Sequence, residues 1–408
     1  MEKPDTAPAE QRPQVVFVHV GAPKTGTTFL QDVMWHHRKR LAQDGIVFTR
    51  ERYGDHFQAS IDLRRVKPLR PASRAARGTW NRVAQRTRSW PGTSVISHEM
   101  FAATRPRQVR RALHSLQPAE VHIVYTVRDL WRQLPAEWQE STKHGRTLSF
   151  EEFLDDVIEA GVHGRVGKWF WSVHDALDVL GRWGRDVPPE RVHVVTVPRS
   201  GSEPGLLWRR FAAVIGIDPE RCDISVARFN TSLGAAEVGF LRRVNAAVSG
   251  RLTRKQRLRY VKDLLAQRIL VAGRNKSPIS APPERFAWAQ AKAEEFIAGI
   301  EAAGYDVVGD LDELRPLPPP DQPYRHPDDV AVAELVAVGV DAIVRLALHI
   351  ARMRESRGVG ANQSARPATA AGRLRTAVVQ RVPARLRGLP ARLRPGRLVH
   401  VVRRTLSR

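Results

Sequence analysis

The chain has 408 residues, of which 42% are hydrophobic, so it contains enough apolar material for a substantial core. Thirteen of its 24 formal net positive charges come from arginines that follow Glu355, so the rest of the chain is only moderately basic. The single cysteine, Cys222, excludes an intrachain disulfide and a cysteine-rich metal site, which is typical of a reducing compartment.

The N-terminal segment, residues 1–13, is predicted to be disordered. It carries Pro, Asp and Glu without an apolar centre, so we expect neither a secretion signal nor a membrane anchor there. The sequence also has no uninterrupted apolar run of the length that crosses a bilayer. These patterns together predict a cytoplasmic protein.

A buried strand, a glycine-bearing turn and a helix start follow one another from Val15 to Leu30. At such a junction the first helical N–H groups have no partner within the helix and the helix dipole is positive, so an anion binds readily. Lys24 adds a full positive charge. The candidate phosphate-binding residues are Gly21, Ala22, Pro23, Lys24, Thr25, Gly26, Thr27 and Thr28.

The loop departs from the Walker A pattern. Gly21 and Gly26 have the right separation, but Thr27 stands where that pattern has lysine. Arg128 follows the apolar strand Val121–Val127, at the place where a magnesium ligand would be needed. The sequence therefore predicts no metal site and disfavours a P-loop kinase, which nevertheless remains an alternative.

Strands and helices then alternate. The pattern predicts a strand at Ile46–Phe48, an insertion over the site from Glu51 to Trp90, and a strand at Ser94–Ser97. A helix over Pro106–Leu116 and the strand Val121–Val127 follow. This alternation predicts an α/β fold of three layers with a central parallel sheet, in which ligands bind at the carboxyl ends of the strands.

The C-terminal half is predicted to be helical. We expect a main domain over residues 14–315, which ends before a proline cluster, and a separate apolar-periodic helix over residues 327–355. Residues 356–408, rich in Gly, Ala, Pro and Arg, are predicted to be disordered. Their basic amphipathic pattern suits contact with an anionic membrane, and a solvated tail without a partner is the alternative.

The segment Gly-Ala-Pro-Lys-Thr-Gly-Thr-Thr resembles the 5'-phosphosulfate loop of sulfotransferases that use 3'-phosphoadenosine-5'-phosphosulfate (PAPS). The resemblance implies a P-loop-like fold in which Lys24 approaches the oxygen that bridges sulfur and phosphorus. Sulfotransferases also have a strand ending in Arg and, eight residues on, a Ser, which together bind the 3'-phosphate. Arg128 matches that arginine, whereas position 136 is Ala. An ion pair with a neighbouring carboxylate is the alternative for Arg128.

Three residues are candidates for the base that deprotonates an acceptor. His98 and Glu99 follow the strand Ser94–Ser97, where the sheet would present them to the site. His56 lies in Asp55-His56-Phe57, which resembles the Glu-x-His-Phe region of glycan sulfotransferases. An ordinary hydrogen-bonded histidine is the alternative for His56 and for His98.

The resemblance implies an enzyme that moves a sulfuryl group from PAPS to an acceptor hydroxyl. The expected acceptor is a small molecule, a glycan or a lipid, and no specific nucleic acid partner is expected. A different class also fits, namely a non-catalytic, sulfotransferase-like protein that binds a polyanion or a membrane through its arginine-rich tail. Ala136 favours that class, because it removes a hydroxyl that binds the donor.

Overall fold

The structure is a computed structural model that describes residues 14–65, 75–227, 232–273, 276–319, 321 and 323–364, with side chains up to residue 355. Its centre is a sheet of six parallel strands in the order β2-β3-β1-β4-β5-β6. The predicted α/β fold with a central parallel sheet is thereby confirmed. The strands are β1 (Val15–His19), β2 (Ile46–Phe48), β3 (Thr93–Ser97), β4 (Glu120–Val127), β5 (Val192–Thr196) and β6 (Asp306–Val308).

Strand β1 lies between β3 and β4, and its residues pair in register with both. His19 at its carboxyl end pairs with Ser97 of β3 and with Val124 of β4. Segments that leave the carboxyl ends of these three strands therefore meet at one edge of the sheet.

Helices connect the strands. The helices before β5 are α1 (Thr27–Gln43), α2 (Asp55–Leu63), α3 (Thr79–Ser89), α4 (Pro106–Leu116), α5 (Leu130–Lys143), α6 (Phe150–Ile158), α7 (Gly167–His174) and α8 (Ala176–Trp183). After β5 come α9 (Leu206–Ile215), α10 (Ala235–Ala247), a π-helical segment (Arg257–Ile269), α11 (Phe286–Ala302) and α12 (Val332–Ser364). Helix α6 begins with the capping box that Ser149 and Glu152 predict.

Each face of the sheet has its own apolar layer. On one face, Phe17 of β1 and Val124 of β4 belong to a core shared with Leu30 of α1 and Phe211 of α9. On the other face the fully buried Tyr125 donates a hydrogen bond to the carbonyl of Val173 in α7. Successive residues of a strand point to opposite faces, so the buried strands are apolar almost throughout.

The segment Glu51–Trp90 differs from its prediction as an insertion outside the core. It contains α2 and α3, and the side chains of Leu63, Trp80 and Val83 are completely buried. The indole N–H of Trp80 donates a hydrogen bond to the hydroxyl of Ser115 in α4. In α3, Arg82, Arg86 and Arg88 alternate with the buried residues and mask the apolar stripe of this helix in the sequence.

Among the described residues, those up to 344 form one compact unit and those from 345 to 364 belong to a second one. Helix α12 begins at Val332 and continues to Ser364, past the end predicted at residue 355. The predicted disordered segment 1–13 lies outside the described residues, and so do residues 365–408 of the predicted disordered segment 356–408, which is also the proposed membrane-binding tail. Among the helices that are described, none combines the length and the apolar character needed to cross a membrane.

Candidate active site

The loop after β1 adopts a conformation that requires its glycines. Gly21 has a φ of 119° and Gly26 a φ of 82°, both in the region that favours glycine. A side chain at Gly26 would also collide with Leu207 of α9, and one at Gly21 would press on the carbonyl of Glu99. Because Gly26 has no side chain with which to cap α1, the start of that helix is left without the usual side-chain acceptor.

Thr126, near the end of β4, anchors the loop. Its N–H donates to the carbonyl of Gly21 (2.6 Å), and its carbonyl accepts from the N–H of Ala22 (2.8 Å). Its hydroxyl donates to Gly21 as well (3.0 Å) and lies 2.5 Å from the hydroxyl of Thr25. Thr25 is buried and so belongs to the support of the loop. The sequence analysis missed Thr126, since one threonine in an apolar strand carries no signal.

Lys24 forms an ion pair with Glu140 on α5, with 2.5 Å between Nζ and Oε2. Burial raises the pKa of Glu140, but His144, Lys24 and Lys262 lower it more, so the pKa lies far below its usual range. Glu140 is therefore ionised at neutral pH and holds Lys24 against α5. The Lys24 side chain remains 26% exposed and accessible to a ligand.

Arg128 is partly buried, and burial lowers its pKa to about 10, so it stays charged at neutral pH. Its guanidinium donates to Gln133 Oε1 and to the carbonyl of Arg132, each at 3.0 Å. The neighbouring Asp129 pairs with Arg132 instead. Within the described part of the chain Arg128 forms no ion pair with a carboxylate, so its charge is available to an anion.

Gln133 connects Arg128 to the loop. While its Oε1 accepts from Arg128, its Nε2 donates to the carbonyl of Pro23 at 2.8 Å. The Arg128 guanidinium thus lies one amide group away from the turn that carries Lys24. The structure therefore brings together the two halves of the predicted nucleotide site.

Ala136 lies on the face of α5 that is turned toward the loop. Gln133, three residues earlier, contacts Pro23, and Glu140, four residues later, contacts Lys24. Ala136 is partly exposed between them. Position 136 therefore lies beside the loop, but its alanine lacks the hydroxyl that the serine of sulfotransferases carries.

Glu99 lies beside the first turn of α1. Its Oε2 accepts from Thr27 Oγ1 and from Gln31 Nε2, both at 3.3 Å. Burial raises the pKa of Glu99, but His98 and the hydrogen bonds to this carboxylate lower it by a larger amount. The pKa of Glu99 is therefore below its ordinary value. Glu99 is ionised at neutral pH and adjoins the phosphate-binding loop, as the strand order predicts.

His98 adjoins Glu99, with 3.6 Å between Nδ1 and Oε2. Burial lowers its pKa, and the nearby charges of Arg50 and Arg64 oppose the effect of Glu99, so His98 is neutral near pH 7. The N–H of Met100 donates to Nδ1 at 3.1 Å. The single proton of the neutral ring is therefore on Nε2, which can donate but cannot accept.

His56 is buried in the first turn of α2, where it contacts Thr49, the residue that follows β2. Its Nε2 lies 3.2 Å from Thr49 Oγ1, and its Nδ1 accepts from the N–H of Ser97 at 3.2 Å. Burial, together with the charge of Arg50, lowers its pKa to about 3. Both ring nitrogens have partners that join β2 to β3, so the geometry is that of a structural histidine.

Other ligand chemistry can be judged from the same residues. No set of three or more His, Cys, Asp or Glu side chains within the described ranges is arranged to hold a metal ion. The sequence analysis missed Gln133 and Glu140, which contact the loop, and also Lys143 and Lys262, which contact Glu140. Their helices approach the loop only in the folded chain, so no local motif marks them.

Comparison with known proteins adds no relative to these observations. The chain matches none of the protein-family models, none of the curated proteins and none of the solved structures against which it was compared. The likeness of its two nucleotide segments to sulfotransferases thus remains a resemblance of motifs, and the functional proposal depends on the geometry of the site.

Proposed function

We propose that this chain is a sulfotransferase that transfers a sulfuryl group from PAPS to an acceptor hydroxyl. The observation that carries the proposal is the position of Arg128, whose charge has no carboxylate partner among the described residues and whose guanidinium is joined through Gln133 to the loop bearing Lys24. A nucleotide with anionic groups at both its 5' and 3' ends suits two such cations. A structural ion pair, the alternative for Arg128, is not supported.

The donor's groups fit the chain as follows. The amides and hydroxyls at the start of α1, with Thr27 and Thr28, would hold the 5'-phosphosulfate, since a helix start attracts anions. Arg128 would hold the 3'-phosphate, because a guanidinium forms paired hydrogen bonds with phosphate oxygens. The strand order, with β1 between β3 and β4, is compatible with a P-loop-like fold.

In the proposed reaction the acceptor oxygen attacks sulfur in line, the bond from sulfur to the bridging oxygen breaks, and adenosine 3',5'-bisphosphate leaves. Lys24 would stabilise the negative charge that develops on the bridging oxygen. To reach it, the lysine must leave Glu140, which holds it in the structure. Little covalent chemistry is required of the protein beyond positioning and one proton transfer.

Glu99 is the proposed base. Its carboxylate is ionised and adjoins the first turn of α1, so it can accept the proton that the acceptor hydroxyl loses. His98 cannot accept on Nε2 while Nδ1 receives the hydrogen bond from Met100, so it would position Glu99 or donate to the substrate. His56 has a structural role in this proposal, since both its nitrogens are bonded.

Calorimetric titration of adenosine 3',5'-bisphosphate, adenosine 5'-monophosphate and ATP with magnesium tests the proposal. The bisphosphate should bind at least ten times more tightly than the monophosphate, and Arg128→Met should abolish this preference, because a charged hydrogen bond contributes about 1.5–3 kcal/mol. Lys24→Met should remove turnover of labelled PAPS. Lys168→Met, which changes an exposed lysine of α7, is the matched control.

Two results would reject the proposal. Equal affinities for the bisphosphate and the monophosphate would mean that no 3'-phosphate site exists. Binding of ATP that depends on magnesium, without binding of the bisphosphate, would instead support the P-loop kinase.

A further inference from the structure

Three lysines surround a single carboxylate beside the loop. Glu140 Oε2 lies 2.5 Å from Nζ of Lys24 and 4.0 Å from Nζ of Lys143, while its Oε1 lies 3.4 Å from Nζ of Lys262. Lys143 is at the end of α5 and Lys262 is in the π-helical segment. We call Lys24, Lys143 and Lys262 the lysine cluster.

Glu140 does not balance the charge of the lysine cluster. Lys143 has no hydrogen-bond acceptor among the residues that the structure describes, and its only ion pair there is the long one to Glu140. Burial is the main cause that lowers the pKa of Lys143 to about 8, and the charge of Lys24 lowers it further. Lys262 is shared between Glu140 and Nε2 of His144, at 2.5 Å from the latter.

Solvent reaches the lysine cluster. The side chain of Lys143 is 11% exposed and that of Lys262 is 17% exposed. Lys276, also nearby, donates to the carbonyls of Ser232 and Val271 and is therefore engaged by the backbone. An incoming anion would meet Lys143 and Lys262 as donors with unused hydrogen-bonding capacity.

The lysine cluster lies away from the proposed 3'-phosphate site. Arg128 contacts Gln133, and Lys143 follows ten residues later on the same helix, a distance of roughly 15 Å along the axis at about 1.5 Å per residue. Within the lysine cluster, Lys24 belongs to the loop and contacts Glu140, which lies between Gln133 and Lys143 on α5. A group bound by Lys143 and Lys262 would therefore adjoin the reacting end of the donor without belonging to its 3'-phosphate.

We propose that Lys143 and Lys262, together with Lys24, bind an anionic group of the acceptor, so that the acceptor is a hydroxyl compound bearing a carboxylate, sulfate or phosphate. The proposal rests on the sulfotransferase function proposed above. It narrows the acceptor class to anionic compounds. The same ammonium groups would place the acceptor hydroxyl near the donor and tolerate the charge that the new sulfate ester adds.

The test uses inorganic sulfate as the probe, with the full chain and saturating adenosine 3',5'-bisphosphate to occupy the donor site. Thermal unfolding is followed while sodium sulfate replaces sodium chloride at constant ionic strength. We expect a saturable rise in melting temperature for the unaltered protein and for Lys168→Met. The double variant Lys143→Met, Lys262→Met should lose the rise, while its affinity for the bisphosphate stays within about threefold.

The contrary outcomes are distinct. If sulfate has no effect on the nucleotide-saturated, unaltered protein, the lysine cluster is not an anion site and the inference fails. If the double variant loses the preference for the bisphosphate over the monophosphate, the lysines serve the donor's 3'-phosphate and the inference also fails. If the unaltered protein binds no bisphosphate, it is the sulfotransferase proposal that fails, and the inference about the acceptor falls with it.

Glu140→Gln provides a second test that keeps all three lysines. Removal of the competing carboxylate should tighten sulfate binding by about three- to tenfold, because a buried cation that loses its counter-ion binds an external anion more strongly. Circular dichroism spectra that match those of the unaltered protein establish that the variants fold. Unchanged or weaker sulfate binding by Glu140→Gln would contradict the inference.

Discussion

Among individual residues, Glu99 has a position with opposing consequences. Its negative charge beside the start of α1 competes with a bound anion for the same positive field, yet the hydrogen bonds from Thr27 and Gln31 keep the carboxylate there. As the proposed base, Glu99 would lie close to the acceptor. Its charge would at the same time reduce the affinity for the donor. Removing the charge should therefore change turnover and nucleotide binding in opposite directions.

Glu99→Gln should reduce kcat by about 10²- to 10⁴-fold, the usual contribution of a general base. The affinity for adenosine 3',5'-bisphosphate should stay the same or rise, since the amide keeps its size and loses the repulsion. Steady-state kinetics with labelled PAPS and calorimetry of the bisphosphate measure the two effects. Full turnover in this variant would show that a group other than Glu99 accepts the proton of the acceptor hydroxyl.

The effect of substituting Ala136 on nucleotide affinity can also be predicted. The position faces the loop between Gln133 and Glu140, so a hydroxyl placed there can reach an anion held by Arg128. Ala136→Ser should tighten binding of the bisphosphate by about threefold to tenfold, as one hydrogen bond to a charged group would. Affinity for adenosine 5'-monophosphate should not change. Calorimetry with both nucleotides checks this, and a parallel gain for both would contradict it.

Among the elements, β1, β3 and β4 are tied together at their carboxyl ends by neutral histidines. His19 lies 2.8 Å from Ser97 Oγ and 3.3 Å from Thr126 Oγ1, and His56 joins β2 to β3. Burial lowers the pKa of both to about 3. The proposed site therefore stands on buried imidazoles that resist protonation.

This arrangement predicts how stability depends on pH. The folded pKa of each histidine lies below the unfolded value of about 6.5, so the unfolded chain binds more protons in acid and stability falls as pH drops below about 6.5. Each histidine should contribute a slope of up to about 1.4 kcal/mol per pH unit. Urea unfolding midpoints between pH 7 and 4.5 should fall less steeply in His19→Gln and in His56→Gln than in the unaltered protein. If the midpoints of the variants and of the unaltered protein fell equally steeply with pH, these histidines would not contribute to the pH dependence of stability.

At the scale of the whole molecule, more than half of the formal excess charge belongs to a part of the sequence that contains none of the proposed site residues. Arginines after Glu355 supply more than half of the formal excess, whereas Lys24, Arg128 and the lysine cluster all belong to the unit formed by residues 1–344. Fields from exposed charges are screened within about 10 Å in 0.1 M salt. Donor binding should therefore depend on the site and not on the basic tail.

Deletion of residues 356–408 tests this separation. The shortened chain should bind adenosine 3',5'-bisphosphate within about twofold of the full chain at 0.15 M salt and should retain turnover of PAPS. Its binding to vesicles containing phosphatidylserine, measured by sedimentation, should fall if the tail contacts anionic membranes. Loss of nucleotide binding on truncation would contradict the assignment of the site to residues 1–344.

The local pattern of residues determined a large part of the architecture. The strand, turn and helix from Val15 onward, the capping box at Ser149 and the strand before Arg128 were all predictable, because buried parallel strands are continuously apolar and helix starts carry capping residues. The helices between Glu51 and Trp90 were not: α2 has only nine residues, and the arginines of α3 dilute its apolar stripe. Sequence also indicated Lys24, Arg128 and Glu99, which lie within five residues of the carboxyl ends of β1, β4 and β3.

Only the tertiary structure decided which of these residues meet, and which partners they have. Strand order brings Thr126 under the loop, while the packing of α5 and the π-helical segment places Gln133, Glu140 and Lys262 around Lys24. Tertiary packing also buries His56 between Thr49 and Ser97 and leaves Arg128 without a carboxylate among the described residues. Burial and long-range approach set these charges and pKa values, and neither is encoded in the spacing of residues along a chain.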